Sequence, residues 1–455
     1  MVVEPLKQAG STMIRTFLLR GAKSLLRDTT FRRLLSNSGW LLSANTVSLA
    51  LAFVQGVIVA RALGVERYGV LALITTYATT VNQFVDSRVW EAAIKFVTQY
   101  REKRDLTRAG AVVKLCYWVD AATGSLAFVI LIVTAGWAAR LFVKDESTAV
   151  LIQFYALSIL VAVPVGTSSA LLRIGDQFDW LAYQDAGMAI LKLVGVIVVA
   201  LAGWGIIGVL SVYLLAAAAG MVALVVLSRR VGRQLGLGDW EHAALSSLGG
   251  EYKHIFRFMI ATNASAFFKL LQRNADVLLI GYWLTPSAAG YFRLARSMTD
   301  LMQFAVGPLY TASYPEFARL WHRGKVLELS RLVRKLTLSS TAVALAALCV
   351  MGFGARWIIQ LSVGSQYLPA LPVLLWLAFG VAMAVATNFG HPLLLAIGRA
   401  TSSLLAIALG VVCQMAILVF LLPVTGIAAA GIAYLGFYLI WVMVVALATR
   451  IVWSK

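Results

Sequence analysis

Residues 269–300 read KLLQRNADVLLIGYWLTPSAAGYFRLARSMTD, two hydrophobic runs joined by a short turn, and six charges recur within them at helical spacing. Lys269, Arg273 and Asp276 follow a +4, +3 pattern, and Arg293, Arg296 and Asp300 follow +3, +4. That spacing places each trio on one face of its helix. The surrounding chain is lipid-soluble, with 60% hydrophobic residues, 13% charged residues and a mean hydropathy of +0.84. At the centre of a bilayer each charge costs roughly 2.5–3.5 kcal/mol on the most lenient scale. The two stripes must therefore face each other, a protein interior or a water-filled cavity. Their four cations outnumber their two acids, which points to an anion handled within the membrane.

Working outward, segments of spanning length lie near 38–60, 68–90, 110–137, 148–171, 180–201 and 205–228. A second set lies near 257–283, 288–313, 336–361, 370–391, 400–422 and 426–449. Lys and Arg orient them. The tail before the first span and alternate loops are rich in both, whereas the opposite loops hold only Arg61, Arg67, Arg140, Lys144 and Arg356. The positive-inside rule then puts both termini in the cytoplasm. Tryptophans at the expected boundaries, such as Trp137, Trp204, Trp283 and Trp357, read as an interface belt. The net charge of +19 is spread along one membrane surface, so anionic lipids are its expected partner and nucleic acid is not. Three cysteines at Cys116, Cys349 and Cys413 match no metal spacing, and no metal is expected.

The chain also repeats itself. At an offset of 221 residues Leu63, Gly69, Gly205, Ile206 and Tyr213 meet Leu284, Gly290, Gly426, Ile427 and Tyr434. Lys114 meets Lys335 and Arg229 meets Arg450, so Lys114 reads as interfacial rather than buried. Six spans per half is an even number, which makes the repeats parallel about an axis along the membrane normal. The resulting division is a basic amphipathic tail at 1–37, a six-helix lobe at 38–229, a linker at 230–256 and a second lobe at 257–450. Opposite Asp276, Arg293, Arg296 and Asp300 the first half carries Gln55, Ala72, Thr75 and Thr79, so the charge belongs to one half only.

With a rise of about 1.5 Å per residue, Asp276 and Arg296 both lie about 12 Å below the turn, and Arg273 and Asp300 about 17 Å below it. Depth therefore pairs Asp276 with Arg296 and Arg273 with Asp300, leaving Lys269 and Arg293 without acids. Two roles remain open for the set: ion pairs that fix helix packing, or surplus cations that receive a phosphate. Lys192 in the fifth span, with Asp185 two turns away, is either a cavity cation or half of a local pair. Asp86, Arg88 and Glu91 in the second span suit a cytoplasmic gate or an interfacial cluster. Asp120 reads as a buried acid, His391 as a helix-end cap, and Pro164 and Pro308 as bends.

Gly39–Gly69 (GWLLSANTVSLALAFVQGVIVARALGVERYG), Asn274–Tyr282 (NADVLLIGY) with AlaGlyTyr at 289–291, and Gly426–Gly431 (GIAAAG) resemble polysaccharide-exporting flippases. These belong to the multidrug/oligosaccharidyl-lipid/polysaccharide (MOP) superfamily. The resemblance implies an all-α integral membrane protein, twelve transmembrane helices in two parallel six-helix repeats around a central cavity. It implies a flippase, not an enzyme, that moves an undecaprenyl-diphosphate-linked oligosaccharide across the bacterial inner membrane by alternating access. It also implies a cationic cavity, here matched by Lys269, Arg273, Arg293 and Arg296 with Lys192. No cofactor is expected; the membrane potential, or H+ or Na+ acting through Asp276 or Asp300, stands as the candidate coupling. A polysaccharide polymerase is a candidate partner. Removing Arg273 or Arg296 is expected to abolish export with protein still in the membrane. The twelfth span ends near Lys455 without the two further spans of lipid II flippases, and the first span lacks the acid that drug exporters often carry. A multidrug exporter is the main alternative. A glycan polymerase fits less well, because the largest outer loop offers only Asp145 and Glu146.

Overall fold

Helices make up all the regular structure among the described residues. The computed structural model describes the backbone of residues 29–304 and 307–453. It describes the side chains of residues 47–450 apart from 261–266, 269, 304–309 and 311–312. The amphipathic tail expected before the first span lies largely outside the described residues, and the helix at Thr29 runs unbroken into that span.

The first half comprises α1 (Thr29–Val85), α2 (Val89–Glu102), α3 (Leu106–Ala138), α4 (Ala149–Ala162), α5 (Val165–Ile174), α6 (Phe178–Ala202) and α7 (Gly205–Gln234). The second comprises α8 (Tyr252–Trp283), α9 (Pro286–Phe304), α10 (Gly307–His322), α11 (Val326–Ser362), α12 (Leu371–Ala386), α13 (Gly390–Ala396), α14 (Ala400–Thr425) and α15 (Ala428–Trp453). Gly64, at φ 75°, bends α1 into two passes. With α2 extending the second pass and α4–α5 and α12–α13 each forming one broken pass, this order accommodates twelve passes. Among the described residues nine helical stretches are long and apolar enough to cross a membrane. Neither α8 nor α9 is one of them, because both carry the charged stripes.

The duplication reappears in backbone geometry. Arg104 and Gly324 both take left-handed φ, at 58° and 67°, and the next residue closes a six-residue return in each case. Asp105 N donates to Tyr100 O at 2.9 Å, and Lys325 N donates to Leu320 O at 3.0 Å. Asp176 and Gly398 repeat the device at φ 56° and 78°, with Gln177 N to Leu172 O at 2.9 Å and Arg399 N to Leu394 O at 2.8 Å. This is the 6→1 bond of the Schellman motif, which satisfies carbonyls left over at a helix end. Glycine fills both positions in the second half; the first half uses Arg and Asp there.

Pro164 ends α4 and leaves the first amides of α5 without intrahelical acceptors. The Asp120 carboxylate on α3 takes over, accepting from Thr167 N at 3.0 Å and Thr167 Oγ1 at 2.6 Å. Thr167 is fully buried. Asp120→Ala should therefore lower stability by about 1–3 kcal/mol by orphaning both donors, with Asp120→Asn recovering part. Thermal unfolding in detergent checks this, and an unchanged midpoint in the alanine variant would contradict it.

The connector between the halves lies between Gln234, where α7 ends, and Tyr252, where α8 starts. It packs on the first lobe. Trp240 stacks on Tyr117 with ring centroids 4.5 Å apart, and Lys114 Nζ donates to Ala243 O at 3.1 Å. Lys114 thus reaches the linker.

The two lobes meet where α1 crosses α9. A Cβ on Gly69 would fall 1.7 Å from Pro286 O, and one on Gly290 would fall 2.5 Å from Val65 O. Gly69 and Gly290 are repeat mates, and so are Val65 and Pro286. Such reciprocal contact between equivalent residues places the pseudo-two-fold axis between the glycines. Around it Tyr367 donates to Ala60 O at 2.9 Å, and the Tyr367 ring contacts those of Tyr68 and Tyr291. Lys144 and Arg61 add bonds to Leu284 O and Leu361 O. These contacts join the two lobes at the end where α1 bends.

Candidate cationic site between the lobes

Arg293 and Arg296 leave α9 one turn apart and diverge. Arg296 turns into the second lobe. Its Nη1 lies 3.5 Å from Asp276 Oδ2, its Nε lies 3.5 Å from Asp300 Oδ1, and its guanidinium carbon stands 4.4 Å from the Tyr434 ring centroid. Asp276 is 1% exposed, Arg296 15% and Asp300 43%. Tyr434 in turn receives a hydrogen bond from Gln303 Nε2 at 3.1 Å. Arg296 is thus compensated by two acids and the face of an aromatic ring.

Arg293 turns into the first lobe and is exposed. Its charge is felt by Tyr68, Tyr155 and Tyr213 of the first lobe. Gln55 Nε2 donates to Tyr213 Oη at 2.9 Å. Gln55 and Tyr68 are buried, whereas Tyr155 and Tyr213 are half-buried. Sequence reading had not singled out these tyrosines for the site.

The structure brings Asp276, Arg296 and Asp300 together but separates Arg273 from Asp300. This corrects the pairing by depth: Asp300 sits one turn from Arg296 on the same helix and is taken locally. Arg273 is exposed, and among the described residues no acid lies within ion-pair distance of it or of Arg293. The Lys269 side chain lies outside the described residues. Nearby, Asn274 Nδ2 donates to Thr80 Oγ1 at 3.3 Å, tying α8 to α1.

Lys192 stands on α6 of the first lobe. It is half-buried on α6 within the field of Asp185, which also feels Arg173. Asp86, Arg88 and Glu91 gather at the break between α1 and α2. Asp86 Oδ1 accepts from Arg88 N at 3.0 Å, Arg88 Nη2 pairs with Glu91 Oε1 at 3.0 Å, and Arg88 itself is left-handed at φ 46°. Trp90 is flanked by the guanidiniums of Arg88 and Arg173 at 5.8 and 5.3 Å. His391 Nδ1 bonds Ser403 Oγ at 2.6 Å, tying α13 to α14. Among the described residues no group of three or more His, Cys, Asp or Glu is arranged to hold a metal.

Comparison with known proteins places this arrangement. Residues 34–321 match the model of a family described as polysaccharide biosynthesis protein. The chain is 24% identical over 298 residues to the inner membrane protein YghQ of Escherichia coli, covering 66% of this chain and 84% of YghQ. It is 26% identical over 290 residues to the teichuronic acid biosynthesis protein TuaB of Bacillus subtilis, covering 62% of this chain and 56% of TuaB. Among solved structures, an inward-facing multidrug resistance MATE family transporter of the MOP superfamily aligns with TM-score 0.77 at 13% identity, covering 90% of this chain and 95% of its own. The lipid II flippase MurJ in an inward closed conformation aligns with TM-score 0.71 at 14% identity, covering 90% and 87%. The chain belongs to the polysaccharide biosynthesis protein family, an all-helical membrane protein with the fold shared by these MOP superfamily transporters.

Proposed function

We propose that this protein is a flippase that carries a polyprenyl-diphosphate-linked oligosaccharide, of the O-antigen or exopolysaccharide type, from the cytoplasmic to the outer face of the inner membrane. The observation that carries the reading is the pair of exposed arginines, Arg273 on α8 and Arg293 on α9, which have no acid within ion-pair distance among the described residues. Guanidinium suits a diphosphate because its fork binds two oxygens at once and it keeps its charge when desolvated. A drug-cation exporter would need the reverse balance, with unpaired acids facing the cavity.

The sugar crosses between the lobes while the polyprenyl tail remains in lipid. Both termini lie in the cytoplasm, and the six-helix lobes at 38–229 and 257–450 rock about the Gly69–Gly290 crossing to expose the site alternately. The side of the molecule closed in this arrangement is then the outer one. For an interior-negative membrane, moving two negative charges outward gains about 4–5 kcal/mol per 100 mV, enough to drive export without a coupled ion. No cofactor enters this scheme. A polymerase that consumes the exported units is the expected functional partner, and anionic lipids meet the basic loops.

Arg273→Ala and Arg293→Ala should each cut surface polysaccharide at least about tenfold, the loss of one charge-assisted bond, with the protein still present in the membrane. Complementation of a deletion strain and transport of a labelled lipid-linked oligosaccharide in proteoliposomes measure this. Full export by both variants would end the reading.

A further inference from the structure

At the end where α1 bends, each lobe holds the first hairpin of the other. The turn between α11 and α12 sends the buried Tyr367 hydroxyl to Ala60 O at 2.9 Å, one helical turn before the Gly64 bend. The turn between α3 and α4 sends Lys144 Nζ to Leu284 O, where α8 gives way to α9. Leu63, at the bend, and Leu284 are repeat mates, and so are Glu146 and Tyr367. The two grips are therefore versions of one device on opposite lobes. Each takes a carbonyl near a helix end or bend, where intrahelical donors run out and the helix dipole is negative.

The grips differ in how their backbones are held. In the second lobe Gly364 takes a positive φ of 103°, which glycine adopts without penalty. In the first lobe the matching turn is a π-helical turn over Ala139–Val143, followed by Lys144 at φ 62°. A lysine in the left-handed region is strained and persists only where its surroundings hold it. Within the turn Arg140 forks onto Glu146, Nε to Oε1 at 2.7 Å and Nη2 to Oε2 at 3.0 Å. Both side chains are exposed, so that pair is too weak to hold the strain alone. The remaining hold is α8. Phe142 O presses on it so closely that a Cβ on Gly281 would fall 2.7 Å away. At the mate of Gly281 the second lobe's turn meets a real side chain, Ala60. The first lobe's turn is the tighter of the two and the strained one.

Resting on the alternating-access reading above, we propose that the two turns form a reciprocal clasp between the lobes, and that the turn at 139–148 is its sprung half. While the lobes are joined, contact with α8 keeps Lys144 left-handed. When they part, the bond to Leu284 O is lost and the backbone at Lys144 relaxes, which offsets part of the cost of opening. The half built on Gly364 stores no such strain and acts as a plain latch through Tyr367.

The test is the distance between spin labels at Leu201→Cys on α6 and Arg356→Cys on α11, exposed positions outside the clasp, one on each lobe. Double electron–electron resonance on the full-length protein in detergent, with Cys116, Cys349 and Cys413 replaced, reads the ratio of separated to joined molecules. Tyr367→Phe keeps the ring and removes only the hydroxyl, and should raise that ratio about fivefold. Lys144→Ala should raise it about threefold, less because the lysine is exposed. The two together should raise it about tenfold or more, and Lys144→Arg should leave it unaltered. Lys144→Gly loses the same bond as Lys144→Ala but also the strain, so it should favour the joined form about threefold over Lys144→Ala. An unchanged ratio in both Lys144→Ala and Tyr367→Phe overturns the clasp. Equal ratios in Lys144→Gly and Lys144→Ala overturn the spring. Export by the unaltered protein in proteoliposomes is scored separately. Its absence would remove the transport reading and leave the clasp standing, whereas export with ratios that no variant moves would do the opposite.

Discussion

Gly69→Ala is expected to stop export while the chain remains folded in the membrane. The added methyl would lie 1.7 Å from Pro286 O and 2.5 Å from Pro286 C. These are backbone atoms and have no rotamer to escape into, so α1 and α9 have to separate. Overpacking of this kind costs typically about 1–3 kcal/mol. That moves the balance between conformers about five- to 150-fold away from the arrangement closed at this end. The proposed cycle returns to that arrangement in each turnover, so the penalty falls on function before it falls on folding. Gly290→Ala should act similarly, because its methyl would meet Val65 O at 2.5 Å. Gly56→Ala is the control, since its nearest neighbour would be the Tyr68 hydroxyl at 3.8 Å. The readout is labelling of Thr79→Cys, an exposed position on α1, by a membrane-impermeant maleimide after replacement of Cys116, Cys349 and Cys413. Gly69→Ala should decrease labelling from the linker side and increase it from the other. Normal export with unchanged labelling would mean that the crossing is not a gate.

The glycine crossing also shows what the sequence made legible. Gly69 and Gly290 stood out as members of a common offset, and the reason they recur is that two backbones touch at the symmetry axis. Span lengths were readable for a similar reason, because a bilayer fixes how long an apolar run must be. Depth in the membrane followed from helical rise and correctly set Asp276 beside Arg296. Azimuth did not follow. Depth alone pairs Asp300 with Arg273, yet one turn of its own helix offers Arg296 more cheaply. The tyrosines around Arg293 come from three separate apolar segments, and no local pattern joins them. Only the match of Tyr213 to Tyr434 at the common offset hints at equivalent positions in the two lobes. The left-handed break at Arg88 was hidden too, since neither glycine nor proline marks it.

Arg296 is the residue whose removal should be most damaging to the fold itself. Asp276 is almost wholly buried, and Val277 N donates to its carboxylate at 3.0 Å. Arg296→Ala leaves that carboxylate charged or forces it to take a proton, at a cost of about 3–5 kcal/mol for a broken buried pair. Membrane abundance and the detergent melting point should therefore both fall, which revises the expectation that this variant would persist as an inert protein. Asp276→Asn should be milder, because it removes the buried charge and leaves Arg296 paired with Asp300. Combining Arg296→Met with Asp276→Asn should recover much of the loss, since a neutral pair of similar bulk is often no less stable than the ion pair it replaces. A double-mutant cycle on the melting points isolates the coupling between the two residues. Recovery in the double variant with export still absent would separate the two duties of Arg296, compensation of Asp276 and any contact with the ligand. If Arg296→Ala instead melts like the unaltered protein, the pair with Asp276 is not structural, and Arg296 joins Arg273 and Arg293 as a cation free to meet phosphate.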